Sequence, residues 1–437
     1  MMRYPGAYWR AKPAMATAVM LVLVTAGCGS SSQKTASGNS PTTSAKAAPG
    51  TNATAGTNAT SATNATSGSG SSGNQSPWVI GELSALGAGP FESSYGEVGK
   101  GEAAFVAYQN EVHGGVFGRK LVLNAQNDNA DPTQAVQGFH AINDANAIVL
   151  TGMSLDSSIT AVSPLVENAK ISVLMGPSQA DDVATNPYYH TAEPGNSIVV
   201  DNYLAFFKSQ YPADSIVAFT GIQVANVKAI NALGNADAAK YGLKGAGGDI
   251  ELPITDTNYA TQAQALVAEH PVAIATYMAA VQAVPLWTAL QAAGYTGDLW
   301  LNEGAISDSN MAQIGSSRVG GAHQFVPPSV TSNAGIQRIQ SELAKMKNPP
   351  TLNSAFAVWG WEIGQIVANT LQACGQDCTR TSFTAALKTL GTFSCDDQTI
   401  CAGWDLTKGF GDSGFRYARW DPTTKSEKYL SDTWVTP

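Results

Sequence analysis

Trp78-Val79-Ile80-Gly81-Glu82-Leu83, then Gly114-Gly115-Val116-Phe117-Gly118-Arg119-Lys120, then Asp128-Asn129-Ala130-Asp131-Pro132: on these three segments the fold turns. The first reads as a short apolar strand, followed by a Gly/Ser-rich loop and a helix over residues 95–112. The second turns the chain into a strand at 121–124, and the third caps a further helix. A third strand at 147–150 runs through Thr151-Gly152-Met153-Ser154-Leu155-Asp156-Ser157-Ser158 into a third helix, and a fourth ends at Gly176-Pro177-Ser178. Strands alternating with helix-length segments imply right-handed crossovers and a parallel sheet. An open sheet of that kind binds ligands at the carboxyl ends of its strands.

Downstream the alternation restarts. Strands are expected at 215–220, 248–252, 272–276 and 299–301, with helices at 224–240, 259–269 and 284–293 between and after them. That is a second lobe of similar build, entered through a helix near 195–210. Helices at 334–346, 354–373 and 381–390 are too many for the second sheet, so the chain is expected to cross back near 323–326 and again near 404–412. Three crossings between two lobes make a hinge.

Upstream, Arg3, Arg10 and Lys12 precede an apolar run at 14–24 that ends in Thr25-Ala26-Gly27-Cys28. A charged start, a short apolar stretch and small residues describe a secretory signal, too short to span a bilayer. The small residues before Cys28 resemble the lipobox of bacterial lipoproteins, which implies a leader of 1–27 and a lipid-modified Cys28; an ordinary cleaved signal is the alternative. Residues 28–76 are Ser, Thr, Asn, Ala and Gly with almost no apolar bulk, and read as a disordered tether. Its Asn-Ala-Thr triplets match glycosylation sequons, which mean little in the bacterial source that the lipobox resemblance implies. Gly68-Ser69-Gly70-Ser71-Ser72-Gly73 has the letters of a dinucleotide fingerprint without the strand and helix that would make it one. The chain carries 24 Lys and Arg against 33 Asp and Glu, net −9, and removing the leader makes it more acidic. With no basic cluster, nucleic acid and direct binding to anionic lipid are not expected as partners. Beyond Cys28 there are four cysteines. Their short spacings in an exported chain favour Cys374–Cys378 and Cys395–Cys401 disulfides, with zinc as the rival.

From residue 78 to about 310 the chain resembles the leucine/isoleucine/valine-binding family of substrate-binding proteins that serve bacterial ABC importers. The resemblance is carried by 87–96, by Gly-Gly-Val-x-Gly-Arg-Lys ahead of Asp-x-x-x-Asp-Pro, by Ser157-Ser158, and by Asn302-Glu303-Gly304. Trp404-Asp405-Leu406-Thr407-Lys408-Gly409 and Phe415-Arg416-Tyr417 are similar more loosely. It implies an α/β type I periplasmic binding protein fold: two Rossmann-like lobes with parallel sheets joined by three segments, lobe 1 at 77–196 plus 324–410 and lobe 2 at 197–323 plus 411–437. It implies further a small polar solute, such as an amino acid or amide, and an ABC permease with its ATPase as partners. The protein would be a monomer anchored by lipid at the outer face of the cell membrane, with no catalysis and no cofactor.

The expected contacts are Ser84, Tyr95, Asp156, Ser157, Ser158, Gly176 and Ser178 from the first lobe, and Gln223, Tyr277 and Glu303 from the second. Ser157 and Ser158 stand at a helix start, where hydroxyls and unpaired N–H groups suit a carboxylate; capping the helix is the plainer role. Glu303 aligns with a family glutamate that receives the ligand's ammonium group, and Tyr277 packs either on the ligand or in the core. Two departures stand out. The family's acid and Tyr-Gly pair is replaced by Thr220-Gly221-Ile222-Gln223-Val224-Ala225, and Asp156 sits where hydroxyls are typical. An uncharged or cationic ligand fits Asp156 with Glu303 better than a branched-chain amino acid does. Rival readings are a ligand-sensing lipoprotein of the same fold and a secreted hydrolase. The latter rests on Gly411-Asp412-Ser413-Gly414, the tetrapeptide around the nucleophile of trypsin-like proteases, which needs a histidine and aspartate on β-barrels.

Overall fold

The structure, a computed structural model, describes residues 76–436 except 87–88, 90, 177–184 and 412–413. The leader and tether, Cys28, Ser178 and the Asp412-Ser413 pair lie outside the described residues.

Four strands, β1 (Trp78–Ser84), β2 (Leu121–Asn127), β3 (Val149–Met153) and β4 (Ser172–Gly176), form a parallel sheet in the order β2-β1-β3-β4. Every residue of β3 and β4 is buried, as expected of parallel strands covered on both faces. The connecting helices are α1 (Glu97–Val112), α2 (Pro132–Asp144) and α3 (Asp156–Ala169). Sequence chemistry accounts for the turns between them. Gly114, Gly115 and Gly118 adopt φ of 74°, 93° and 73° in the glycine-rich turn into β2, a region that costs glycine nothing. Asp131 caps α2 by accepting from the Gln134 N–H at 2.9 Å, with Pro132 at the first helical position.

The chain enters its second sheet through α4 (Asn196–Gln210). Strand β5 (Ile216–Ile222) lies inside that sheet, with β8 (Ala273–Tyr277), β9 (Asp298–Asn302) and β10 (Val319–His323) following on one side, all parallel. On the other side of β5, the strand expected at 248–252 is reduced to β7 (Glu251–Leu252), preceded by an equally short β6 (Lys244–Gly245). Helices α5 (Ala225–Asp237), α6 (Ala260–Ala268), α7 (Ala280–Ala292) and α8 (Asp308–Ile314) complete the lobe.

The late helices return to the first sheet. They are α9 (Ala334–Leu343), α10 (Ala355–Cys374) and α11 (Arg380–Leu390), followed by the β11 (Thr392–Phe393) and β12 (Trp404–Asp405) pair with the short α12 (Cys395–Gln398) between. Helix α10 is buried along most of its length and supplies Trp359 and Trp361 to the core that Ile80, Phe105 and Val149 share. Leu83, Phe139, Ile142 and Val162 fill the opposite face of the sheet. Helices α1 and α10 meet backbone to backbone: a Cβ on Gly101 would strike the Ala357 carbonyl, and one on Gly360 the Val98 carbonyl. Both expected disulfides are present, with Cα–Cα distances of 5.4 Å for Cys374–Cys378 and 5.5 Å for Cys395–Cys401. They take the four thiols away from zinc.

The chain then crosses once more and adds what the sequence reading did not anticipate, an antiparallel hairpin of β13 (Arg416–Asp421) and β14 (Ser426–Tyr429) on the edge of β10. Its physical anchor is Arg419, which donates to Asp298 at 2.7 Å from across the sheet. The connecting segments are bonded to one another. Thr191 on the first accepts from Gly411 on the third (2.8 Å) and donates to Gly409 (3.0 Å), and Gln324 on the second donates to Glu193 on the first (3.0 Å). Among the described residues no helix is long and apolar enough to cross a membrane.

Candidate functional site

A cavity lies where the two sheets face each other. It is bordered by the carboxyl ends of β3, β5, β8 and β9 at Met153, Ile222, Tyr277 and Asn302. Each of the three connecting segments contributes one residue to its wall: Glu193, Gln324 and Phe415. Strand ends are where a parallel α/β sheet leaves helix N-termini and loops without partners, so a ligand site belongs there. The cavity continues outward between the starts of α3 and α5, past Ser157, Thr160 and Ala229.

Four expected contacts line it: Tyr95, Asp156, Tyr277 and Glu303. The Tyr95 ring stacks on Phe91 with centroids 5.2 Å apart. Burial first, then the charges of Asp156 and Glu193, push its phenol above the ordinary range, so the hydroxyl stays protonated. Ser157 is exposed on the outer extension.

Ser84, Ser158, Gly176 and Gln223 lie elsewhere among the described residues. Ser84 is fully buried and its hydroxyl accepts from the Met153 N–H at 2.9 Å, fastening β1 to β3. Ser158 is fully buried beside Asp128, whose carboxyl is pushed up by burial and eased by the Ser154 and Ser158 hydroxyls. Gly176 lies under the Trp359 ring, which leaves no room for a Cβ. Gln223 is exposed, its side chain outside the cavity wall, and its N–H donates to Leu252 at 3.1 Å.

Glu303 is 6 % exposed and heavily engaged. Its Oε2 accepts from the Gln324 N–H (2.6 Å) and the Phe325 N–H (3.4 Å), and its Oε1 lies 3.3 Å from His323 Nδ1. The other ring nitrogen of His323 lies 3.1 Å from Glu427 Oε1. Burial alone would lower the His323 pKa, but the Glu427 and Glu303 charges and their hydrogen bonds raise it to about 10. The imidazolium therefore donates to both carboxylates at neutral pH.

The sequence reading did not single out Glu193, Gln324, His323 or the aromatic walls Phe91, Phe356 and Phe415. Glu193 and Gln324 are loop residues that reach the cavity only because the connecting segments are bonded together, and a single sequence carries no sign of that. Among the described residues no lysine or arginine lines the cavity, and no cluster of His, Cys, Asp and Glu can hold a metal ion.

Two facing α/β lobes, three linking segments and a cavity at the strand ends define a two-lobed ligand-binding protein of the type I periplasmic plan. The chain belongs to the periplasmic binding protein family, whose model matches residues 78–425. Solved structures agree in fold. A fatty acid ABC transporter substrate-binding protein from Thermomonospora curvata is 17% identical with a TM-score of 0.70, over 82% of this chain and 92% of that one. A branched chain amino acid ABC transporter protein from Thermus thermophilus with bound valine is 12% identical with a TM-score of 0.70, over 83% and 97%. A solute binding protein from R. palustris in complex with benzoate is 16% identical with a TM-score of 0.65, over 83% and 97%. At these identities the likeness is one of fold. No curated protein matches the chain significantly.

Proposed function

We propose that this protein is an extracytoplasmic solute-binding protein that captures a small amino-acid-like or amide solute between its lobes and delivers it, unaltered, to an ABC permease and its ATPase. The observation that carries this reading is the wall of the cavity: both sheets and all three connecting segments contribute to it, so a bound solute touches every part that must move when the lobes close. Its similarity in fold to ABC transporter substrate-binding proteins supports it. Closure follows only if the solute binds the shut form better than the open one.

The test is a thermal-shift screen of the full chain over amino acids, amides and small aromatics, followed by solution scattering. A ligand that raises the melting temperature and contracts the radius of gyration, and is recovered unchanged from dialysis, supports the reading. Chemical turnover, or binding without contraction, counts against it. The same reading places Cys28 at the membrane: Cys28→Ala is expected to release the protein into the medium, and continued fractionation with membranes would sink the anchor.

A further inference from the structure

We propose that the C-terminal tail, residues 430–436, is a strap: a fourth link between the lobes that restrains how far they part. This rests on the reading of two lobes that move about their connecting segments. It goes beyond that reading, because three hinge segments by themselves do not set the limit of the travel.

The tail leaves the β13–β14 hairpin, which belongs to the sheet of the second lobe, and turns back to the third connecting segment. There Phe415 and Val435 exchange two backbone hydrogen bonds, the Phe415 N–H donating at 3.0 Å and the Val435 N–H at 2.7 Å. That pairing sets Trp434, half-buried, against the first lobe. Its ring packs on the core that Trp359 and Trp361 of α10 help to build, and its indole N–H donates to the Gln398 carbonyl at the end of α12, 2.8 Å away.

The second lobe grips the same tail. Arg416 on β13 lies over the Tyr429 ring at 4.2 Å and within 5.7 Å of the Trp434 ring, and its guanidinium donates to the Ser431 carbonyl at 3.2 Å. Trp434 is thus in contact with both lobes at once. The packing beside it is close: a Cβ on Gly414 of the third segment would stand 2.4 Å from the Ala402 Cβ and 3.3 Å from the Trp434 Cβ. A lobe that swings outward must therefore break the indole bond to Gln398 or draw the hairpin along with it. One ring and one hydrogen bond are enough to bias an equilibrium and too little to freeze it, since a net hydrogen bond is worth about fivefold in population.

The experiment is a pulsed spin-label distance measurement across the lobes of the full chain, without solute. Nitroxides are placed on Gln137→Cys in α2 and Gln264→Cys in α6, both exposed positions, in a Cys28→Ala background with the two disulfides oxidised. Trp434→Ala is expected to raise the population at longer distance by about fivefold or more, and Trp434→Phe, which keeps a ring beside Arg416 but has no N–H to donate, to raise it by a smaller factor. If Trp434→Ala does not fold, the Phe variant decides. A distance distribution that matches the parent in every folded variant overturns the strap, even where the melting temperature falls, because a purely local packing role lowers stability without moving the lobes. The same labels separate the two ideas. A solute that shortens the distance in the parent while the variants match the parent overturns the strap alone; a distance that neither any solute of the screen nor either variant moves overturns the moving lobes as well.

Discussion

His323 shows what a single residue does here. It is fully buried, and its imidazolium holds together two carboxylates that would otherwise repel in a dry setting. His323→Gln removes the cation and leaves Glu303 and Glu427 facing each other, so it should cost about 3–5 kcal/mol in urea unfolding, the scale for breaking a buried pair from one side. A loss below about 1 kcal/mol would mean that water or a shifted proton already relieves the pair. Glu303 stood out in the sequence because it follows an apolar strand and aligns with a glutamate of the resembled family. Its partners were not: His323 lies 20 positions away, and Glu427 another 104 beyond that. The hydroxyls teach the same lesson. Ser84 and Ser158 sit in polar turns whose letters read alike whether a side chain points into a cleft or into the protein, and here both point inward.

At the level of elements, the contact between α1 and α10 is the most exacting. Gly101 and Gly360 let two helix backbones touch, so a methyl group has nowhere to go. Gly360→Ala should destabilise by at least about 1–3 kcal/mol, the usual range for overpacking, despite the better helix propensity of alanine. A melting temperature equal to or above that of the parent would show that the helices can part freely. Both helices were readable from periodicity, but that they pack on each other was not, because residues 113–354 separate them. The β13–β14 hairpin escaped notice for a different reason. Its strands carry Arg416, Arg419 and Asp421 among the aromatics, a mixture that reads as surface until Asp298 supplies the partner for Arg419. The buried Tyr417 and Trp420 with a polar turn at 422–425 were the available signal.

For the molecule as a whole, buried ionisable groups predict how stability follows pH. Burial pushes Glu82 up to about 7, and burial pushes Glu362 up to about 8 against the pull of Arg338 at 3.6 Å. His323 is raised to about 10. All three hold protons in the folded state that they release on unfolding, so each contribution is complete below the unfolded pKa and is lost as pH rises through the folded one. The windows run from about 4.5 to 7 for Glu82, 4.5 to 8 for Glu362 and 6.5 to 10 for His323. Stability should therefore fall from mildly acidic to alkaline pH, by up to about 1.4 kcal/mol per pH unit for each proton fully retained. Glu362→Gln should flatten the lower part of that slope and His323→Gln the upper part, as read by urea melts at pH 5, 7 and 9. A flat profile in the parent would contradict the assignment. The sequence by itself determined the alternation of strand and helix, the polar turns at the strand ends, the return of late helices to the first sheet and the local disulfides, because all of these follow from period, capping and short-range closure. Only the tertiary structure decided which acids share a cavity and that His323 stands behind Glu303, because burial and pairing are properties of neighbours brought together from distant parts of the chain.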